Sequence, residues 1–154
     1  MKTGVGKLQD EYNIIKKSGV LSTIAGSAGP TKRRQFKHWR ACFIGPAKTP
    51  YENGLYYIEM IFTDNYPKVK PKVRIRTKTW HPNIDGEHIC VDYLNDWKET
   101  NDIVGIINAV FDLLASPYLP SSYHGIDESK AREYKSKYAG ASQKYNWDDE
   151  NWEG

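Results

Sequence analysis

The sequence predicts an α+β domain: a helix, a run of antiparallel strands, an irregular middle and two further helices. Three observations carry this: helical spacing of apolar residues at the start, two-residue alternation in three central stretches, and helical spacing again in the last third. Val5, Leu8, Tyr12 and Ile15 recur at spacings of three and four. They predict an amphipathic helix over about residues 3–17, with Lys7, Lys16 and Lys17 off its apolar stripe and Gly19 at its end. In "HWRACFI", residues 38–44, Trp39, Ala41 and Phe43 share one face of a strand, and "LYYIEMIF", residues 55–62, supplies a second. Between them "GPAKTPYENG" has turn chemistry. "PKVRIRT", residues 71–77, predicts a third strand with Val73 and Ile75 inward and Lys72, Arg74 and Arg76 outward. Short connections between consecutive strands favour an antiparallel meander.

From residue 78 to 100 the periodicity stops, and Pro82, Asp85-Gly86 and scattered acids take its place. A stretch of that length without a period, inside one domain, is more often functional than idle. Helical spacing resumes with Ile103, Ile106, Ile107, Val110 and Leu114, with Asn101 or Asp102 as the N-cap and Ser116-Pro117 as the stop. Ala131, Tyr134, Tyr138, Ala141 and Tyr145 mark a final helix. The expected division is a core domain over residues 1–146 and an acidic tail over residues 147–154.

The 154 residues suffice for one domain with a core that needs no disulfides; a composition 39% hydrophobic and 27% charged is ordinary for a soluble globular protein, and the 13% aromatic content argues against disorder. No apolar stretch has the length of a secretory signal or a membrane span, so neither export nor membrane insertion is expected. Charge is unevenly placed. Residues 1–80 hold 16 Lys and Arg against 5 Asp and Glu, a net of +11, whereas residues 81–154 hold 6 against 14, a net of −8. The basic runs "TKRRQFKHWR" and "KVKPKVRIRTK" suit a solvated strand face, and docking of acidic protein partners uses the same charges; nucleic acid is the less favoured partner.

The irregular middle holds Cys90, within "HPNIDGEHICVDYLNDW" at residues 81–97, with Asp85, Glu87, Asp92 and Asp96 close by. A bridge to Cys42 is disfavoured in a reducing compartment. A metal site is disfavoured because two cysteines with His81 and His88 do not form a recurring ligand spacing. His88 lies two residues from Cys90, on the same side of an extended segment, but the surrounding carboxylates disfavour the permanently ionised thiolate of a Cys-His hydrolase. A buried core thiol between Ile89 and Val91 stands level with a nucleophile on these grounds.

The wider wording separates them. "SAGP" at 27–30, "HWRACFIGPAKTPYENGLYYIEMIF" at 38–62, "YPKVKPKVRI" at 66–75, "WHPNI" at 80–84, "HICVDYL" at 88–94, Trp97 and "LLASP" at 113–117 resemble the ubiquitin-conjugating enzymes in order and approximate spacing. The likeness runs from about residue 5 to 145, and its most specific part is His-Pro-Asn followed within ten residues by Ile-Cys-Val-Asp. It implies the fold of that family: an N-terminal helix, a four-stranded antiparallel meander and C-terminal helices packed on one face, with the fourth strand near residues 88–94. It also implies a transferase whose Cys90 takes ubiquitin, or a ubiquitin-like modifier, as a thioester from an activating enzyme and passes it to a substrate lysine, usually with a ligase. The chain itself would need no cofactor, since ATP is used by the activating enzyme. Cytoplasm and nucleus are the implied locations.

By the same resemblance Asn83 would donate to the oxyanion or fix the loop, and His81 and Pro82 would hold that loop. Asp92 and Ser121 match positions that flank the cleft; Ser122 or Asp127 are alternatives to Ser121 because "SPYLPSSYHGIDESK" is longer than the usual loop. Lys7, Lys68 and Lys70 would meet the activating enzyme or a ligase, and Ser27 would lie on the face where some members bind a second ubiquitin. The chain departs from the pattern in its intervals from Asn83 to Cys90 and from Cys90 to Trp97, each one residue shorter than usual. It also carries Lys68 at a ligase-contact position that is usually apolar, and Lys98-Glu99 where x-Pro is common. The second functional reading is a non-catalytic family variant that binds modifier without transferring it.

Overall fold

The structure is a computed structural model that describes residues 2–32, 35–116 and 127–140. Helix α1 is Gly4–Ser18, ended by Gly19 in the left-handed region at φ +63°, with Lys16 and Lys17 in its last turn, where cations suit the helix dipole. Its buried stripe is Gly4, Leu8, Glu11 and Ile15, with Tyr12 half-buried. Val5, expected on that stripe, is 39% exposed. The stripe shifts because two polar groups pull it round: the Gly4 amide donates to the Tyr66 carbonyl at 2.9 Å, and the Glu11 carboxylate is used inside the protein.

A single turn at Ser22–Ile24 leads to strand β1, Ser27–Pro30, followed by β2, His38–Ile44, β3, Leu55–Ile61, and β4, Lys72–Ile75. Two short strands, β5 at Ile84–Asp85 and β6 at His88–Ile89, complete a six-stranded antiparallel sheet in the order β1-β2-β3-β4-β6-β5. Trp39, Ala41 and Phe43 of β2 and Tyr56, Ile58 and Met60 of β3 are buried, as two-residue alternation requires. Arg76 keeps the outward facing that alternation gives it, but it is not exposed. Its side chain is 8% exposed and lies 2.8 Å from Glu87 and 3.9 Å from Glu59, so an ion-pair set covers this part of the second face. Glu59, itself buried, also accepts from His38 Nε2 at 2.8 Å. Burial and the cations Lys32 and Arg76 lower the His38 pKa.

The meander has four main strands, but the strand unseen in the sequence precedes β2 rather than following β4. "SAGP" is too short and too small in side chain to show alternation, yet it pairs with β2 from Ser27↔Cys42 to Pro30↔Trp39. Near residues 88–94, only His88–Ile89 is strand, joined to β4 through Arg74↔His88. Residues Asp92–Asn95 instead form one helical turn, α2.

Helices lie over the Trp39 face of the sheet. Tyr12 of α1 meets the Trp39 ring edge-on at 5.7 Å, and Phe111 of α3, Ile103–Ala115, meets Phe43 edge-on at 5.5 Å. Asp102 is the N-cap of α3, its carboxylate accepting from the Gly105 amide at 2.7 Å. Helix α4, Glu128–Tyr138, buries Ala131, and Ala139 just beyond it accepts from the Leu55 amide at 2.9 Å; Ala141 and Tyr145 lie outside the described residues.

Glu11 joins α1 to α3. One oxygen accepts the Tyr66 hydroxyl at 2.6 Å, and the other accepts the Ile103 amide at 2.8 Å, an N–H that the helix itself cannot satisfy. Burial raises the carboxyl above its ordinary 4.5, against the pull of the Ile103 amide, Tyr66 and Lys7. The folded chain therefore keeps this proton to higher pH than the unfolded chain, and stability from this group declines as pH rises from 4.5 through the folded value. Tyr66→Phe removes a donor from the charged form and should cost about 1–3 kcal/mol in urea unfolding at pH 8. The cost should be smaller at pH 5; an equal cost at both would contradict the carboxylate's role.

Candidate active site

The site begins at a buried imidazole. His81 Nε2 donates to the Leu113 carbonyl of α3 at 2.8 Å, and its Nδ1 accepts the Asn83 amide at 2.9 Å. One ring serves as donor and acceptor, which only the neutral Nε2–H tautomer allows. Burial drives its pKa down to about 4, partly offset by the bond to Leu113. Tyr51 packs beside the ring at 5.7 Å between centroids, and its hydroxyl donates to the Trp80 carbonyl at 2.6 Å. Pro82, half-buried, lies between, with a fixed φ and no amide to satisfy.

From Asn83 the chain enters the β5–β6 hairpin. Ile84 pairs with Ile89 and Asp85 with His88, leaving Gly86 and Glu87 as a two-residue turn with Gly86 at φ +61°. The register continues one step outward, where the Cys90 amide donates to the Asn83 carbonyl at 2.8 Å. Asn83 and Cys90 are thus cross-strand neighbours. Ile84 and Ile89 turn into the core, so alternation turns Asn83, half-buried, and Cys90, exposed, to the other side. The shorter interval noted in the sequence is the length this turn needs.

Cys90 is therefore no core thiol, and both it and Cys42 are free. Its Sγ accepts from Asn95 Nδ2 at 3.5 Å. Asn95 was not singled out in the sequence; five residues on, it reaches back only because residues 92–95 coil into α2. Asp92, the first residue of α2, is exposed. Of the other neighbouring acids, Glu87 pairs with Arg76 at 2.8 Å and Asp96 lies 3.6 Å from Lys98. Trp97 closes the loop, its indole N–H donating to the Pro67 carbonyl at 2.7 Å.

The remaining candidates lie apart from the thiol or outside the described residues. Ser27 is exposed on β1, its hydroxyl 3.2 Å from Cys42 Sγ. Lys7 lies on α1, 3.8 Å from Glu11, while Lys68 is exposed and Lys70 donates to the Leu94 carbonyl at 3.1 Å. Ser121 and Ser122 lie outside the described residues; Asp127 is the N-cap of α4, accepting from the Lys130 amide at 3.1 Å. Among the described residues no group of three or more His, Cys, Asp or Glu is placed to hold a metal ion, and no helix is long and apolar enough to cross a membrane.

The His81 geometry makes a prediction with a definite sign. Its folded pKa lies below the ordinary 6.5, so the unfolded chain takes up the proton first as pH falls. Stability from this ring is present above pH 6.5 and is lost on the way down to about 4. The difference in unfolding free energy between wild type and His81→Gln should shrink from pH 7 to pH 4; a constant difference would contradict the buried neutral ring.

Comparison with known proteins bears on the family and the fold. The family model described as ubiquitin-conjugating enzyme matches residues 7–147. A crystal structure of a protein assigned as a ubiquitin conjugating enzyme from Plasmodium yoelii is similar with a TM-score of 0.73 and 26% identity, over 87% of this chain and 94% of that one. The E2 domain of a Toxoplasma gondii ubiquitin conjugating enzyme shares the fold, with a TM-score of 0.68 and 24% identity, over 84% of this chain and 99% of that one. With a match that spans nearly its whole length and with that fold beneath it, the chain belongs to the ubiquitin-conjugating enzyme family.

Proposed function

We propose that the chain is an active conjugating enzyme, in which Cys90 carries ubiquitin or a ubiquitin-like modifier as a thioester and gives it to a lysine. The observation that supports this best is the register that sets an exposed Cys90 beside Asn83. In the first step the Cys90 sulfur attacks the thioester carbonyl held on the activating enzyme, and the activating enzyme's thiolate leaves. ATP is consumed by that enzyme, and this chain needs no cofactor. In the second step a lysine, its proton lost, attacks the Cys90 thioester carbonyl. The C–N bond forms, the C–S bond breaks, and Cys90 leaves as the thiolate.

The chain's own residues then divide the work. Asn83, fixed by His81 at its amide and by Cys90 at its carbonyl, presents a side-chain N–H on the face where the carbonyl oxygen gains charge. Asn95 donates to the sulfur and so favours its departure. Asp92 offers a carboxylate beside the approaching ammonium, aiding its orientation and deprotonation. Ser121 is proposed as a residue flanking the cleft on the strength of the family resemblance alone. Lys7, Lys68 and Lys70 offer a basic surface to the activating enzyme or a ligase, and Ser27 a separate modifier-binding face. The proteins involved would be the modifier, the activating enzyme, a ligase and the lysine-bearing substrate.

Incubated with activating enzyme, ATP and a panel of modifiers, the chain should form an adduct cleaved by thiol reductant. Cys90→Ala should abolish it and Cys42→Ala should not. Failure of every modifier, or an adduct that survives Cys90→Ala, would overturn the proposal. A loaded Asn83→Ala variant should discharge to free lysine roughly 100-fold more slowly than wild type; an unchanged rate would remove Asn83 from the oxyanion.

A further inference from the structure

Between the hairpin loop and α4 lies a cavity of about 330 Å³, lined in part by Lys78, Trp80, His81, Asp85 and Tyr134. Trp80 is 36% exposed, the one exposed aromatic side chain among the described residues. It does not stand alone. Its ring meets Tyr134 at 5.7 Å, and Tyr134 meets Tyr138 at 5.4 Å, so three rings make a continuous row from the cavity to the end of α4. The row is held firmly, since Tyr51 donates to the Trp80 carbonyl at 2.6 Å.

Cations border the row. Lys130 Nζ lies 4.0 Å from the centre of the Trp80 ring, and Lys78 Nζ lies 5.1 Å from that of Tyr138. Among the described residues no carboxylate lies within ion-pairing distance of either lysine. Asp85, at the hairpin end, is the only acid in the described lining. A segment that is both aromatic and acidic complements this platform.

The chain carries such a segment nearby. Ala139 accepts from the Leu55 amide at 2.9 Å, which fixes where the backbone leaves α4 beside Tyr138, and Gly140 has open space around it. Residues 147–154 contain Trp147 and Trp152 with Asp148, Asp149, Glu150 and Glu153, and no Lys or Arg. Trp147 lies seven residues beyond Gly140. That length reaches up to about 24 Å, enough to return along a row of three rings. Tethering gives the segment an effective concentration on the order of millimolar, so a weak contact suffices.

We propose that the Trp80–Tyr134 platform is the docking site of the chain's own residues 147–154. Trp147 enters beside Trp80 and Tyr134, and Asp148, Asp149 and Glu150 lie against Lys78 and Lys130. The docked segment covers the His81–Asp85 side of the hairpin that carries Cys90. The contact is independent of whether Cys90 forms a thioester.

A nitroxide on Asn151→Cys, in the full chain with Cys42→Ser and Cys90→Ser, tests this by paramagnetic broadening of backbone amides. Residues 78–86 and 130–138 should broaden most, to the same extent at all protein concentrations, and less at high salt. Trp147→Ala, or Lys78→Glu with Lys130→Glu, should remove the effect. No broadening there, or stronger broadening on β2, β3 and β4, would overturn the proposal. Broadening that grows with protein concentration would assign the segment to a second copy and overturn it equally. A peptide of residues 141–154, added to the full chain carrying Trp147→Ala, should shift the same amides, and the peptide with Ala in place of Trp147 should not; equal shifts by both would also overturn it.

Discussion

The neutral imidazole of His81 is the constraint on which the reactive region depends. It ties the end of α3 to the first residue of the hairpin, accepting from Asn83 while donating to Leu113. A protonated ring would carry a donor where an acceptor is needed, so Asn83's position requires a buried, uncharged ring. Tyr51, packed against that ring, bonds the carbonyl just before it, which fixes the approach of the chain from the β4 side. The loop is irregular in backbone yet anchored at each step, which is how a segment without secondary structure acquires defined geometry.

The hairpin turns that anchorage into chemistry. With two turn residues, Ile84 and Ile89 face the core together and Asn83 and Cys90 face outward together. One residue more or less would send one of each pair to the wrong side, because side chains alternate with a period of two. The hydrophobic burial of two isoleucines therefore sets the relation between the Asn83 amide and the Cys90 thiol. Behind this, Glu11 secures α3 by satisfying the Ile103 amide, so the helix that holds His81 is itself tied to α1.

Sequence periodicity showed those elements that bury one face against one side. The bounds of β2 matched, α1 shifted by one residue, and Asp102 proved to be the cap of the third helix. What escaped had physical reasons. "SAGP" joins the sheet by pairing its backbone with β2, its small side chains giving no alternation. Glu11 and Arg76 look like surface residues in one dimension, and their burial depends on partners far along the chain, Tyr66 and Ile103 for one and Glu59 and Glu87 for the other. In the site, Cys90, Asn83 and His81 were legible through the His-Pro-Asn wording. Asn95 was not, because its approach to the sulfur depends on a single helical turn that four residues cannot announce by period.

The most direct test of this account is the register at the reactive pair. In an NMR experiment that detects coupling through hydrogen bonds, the Cys90 amide nitrogen should couple to the Asn83 carbonyl carbon, and that amide should be protected from solvent exchange. An unprotected Cys90 amide, or cross-strand contacts that pair Cys90 with Ile84 instead of Asn83, would contradict it.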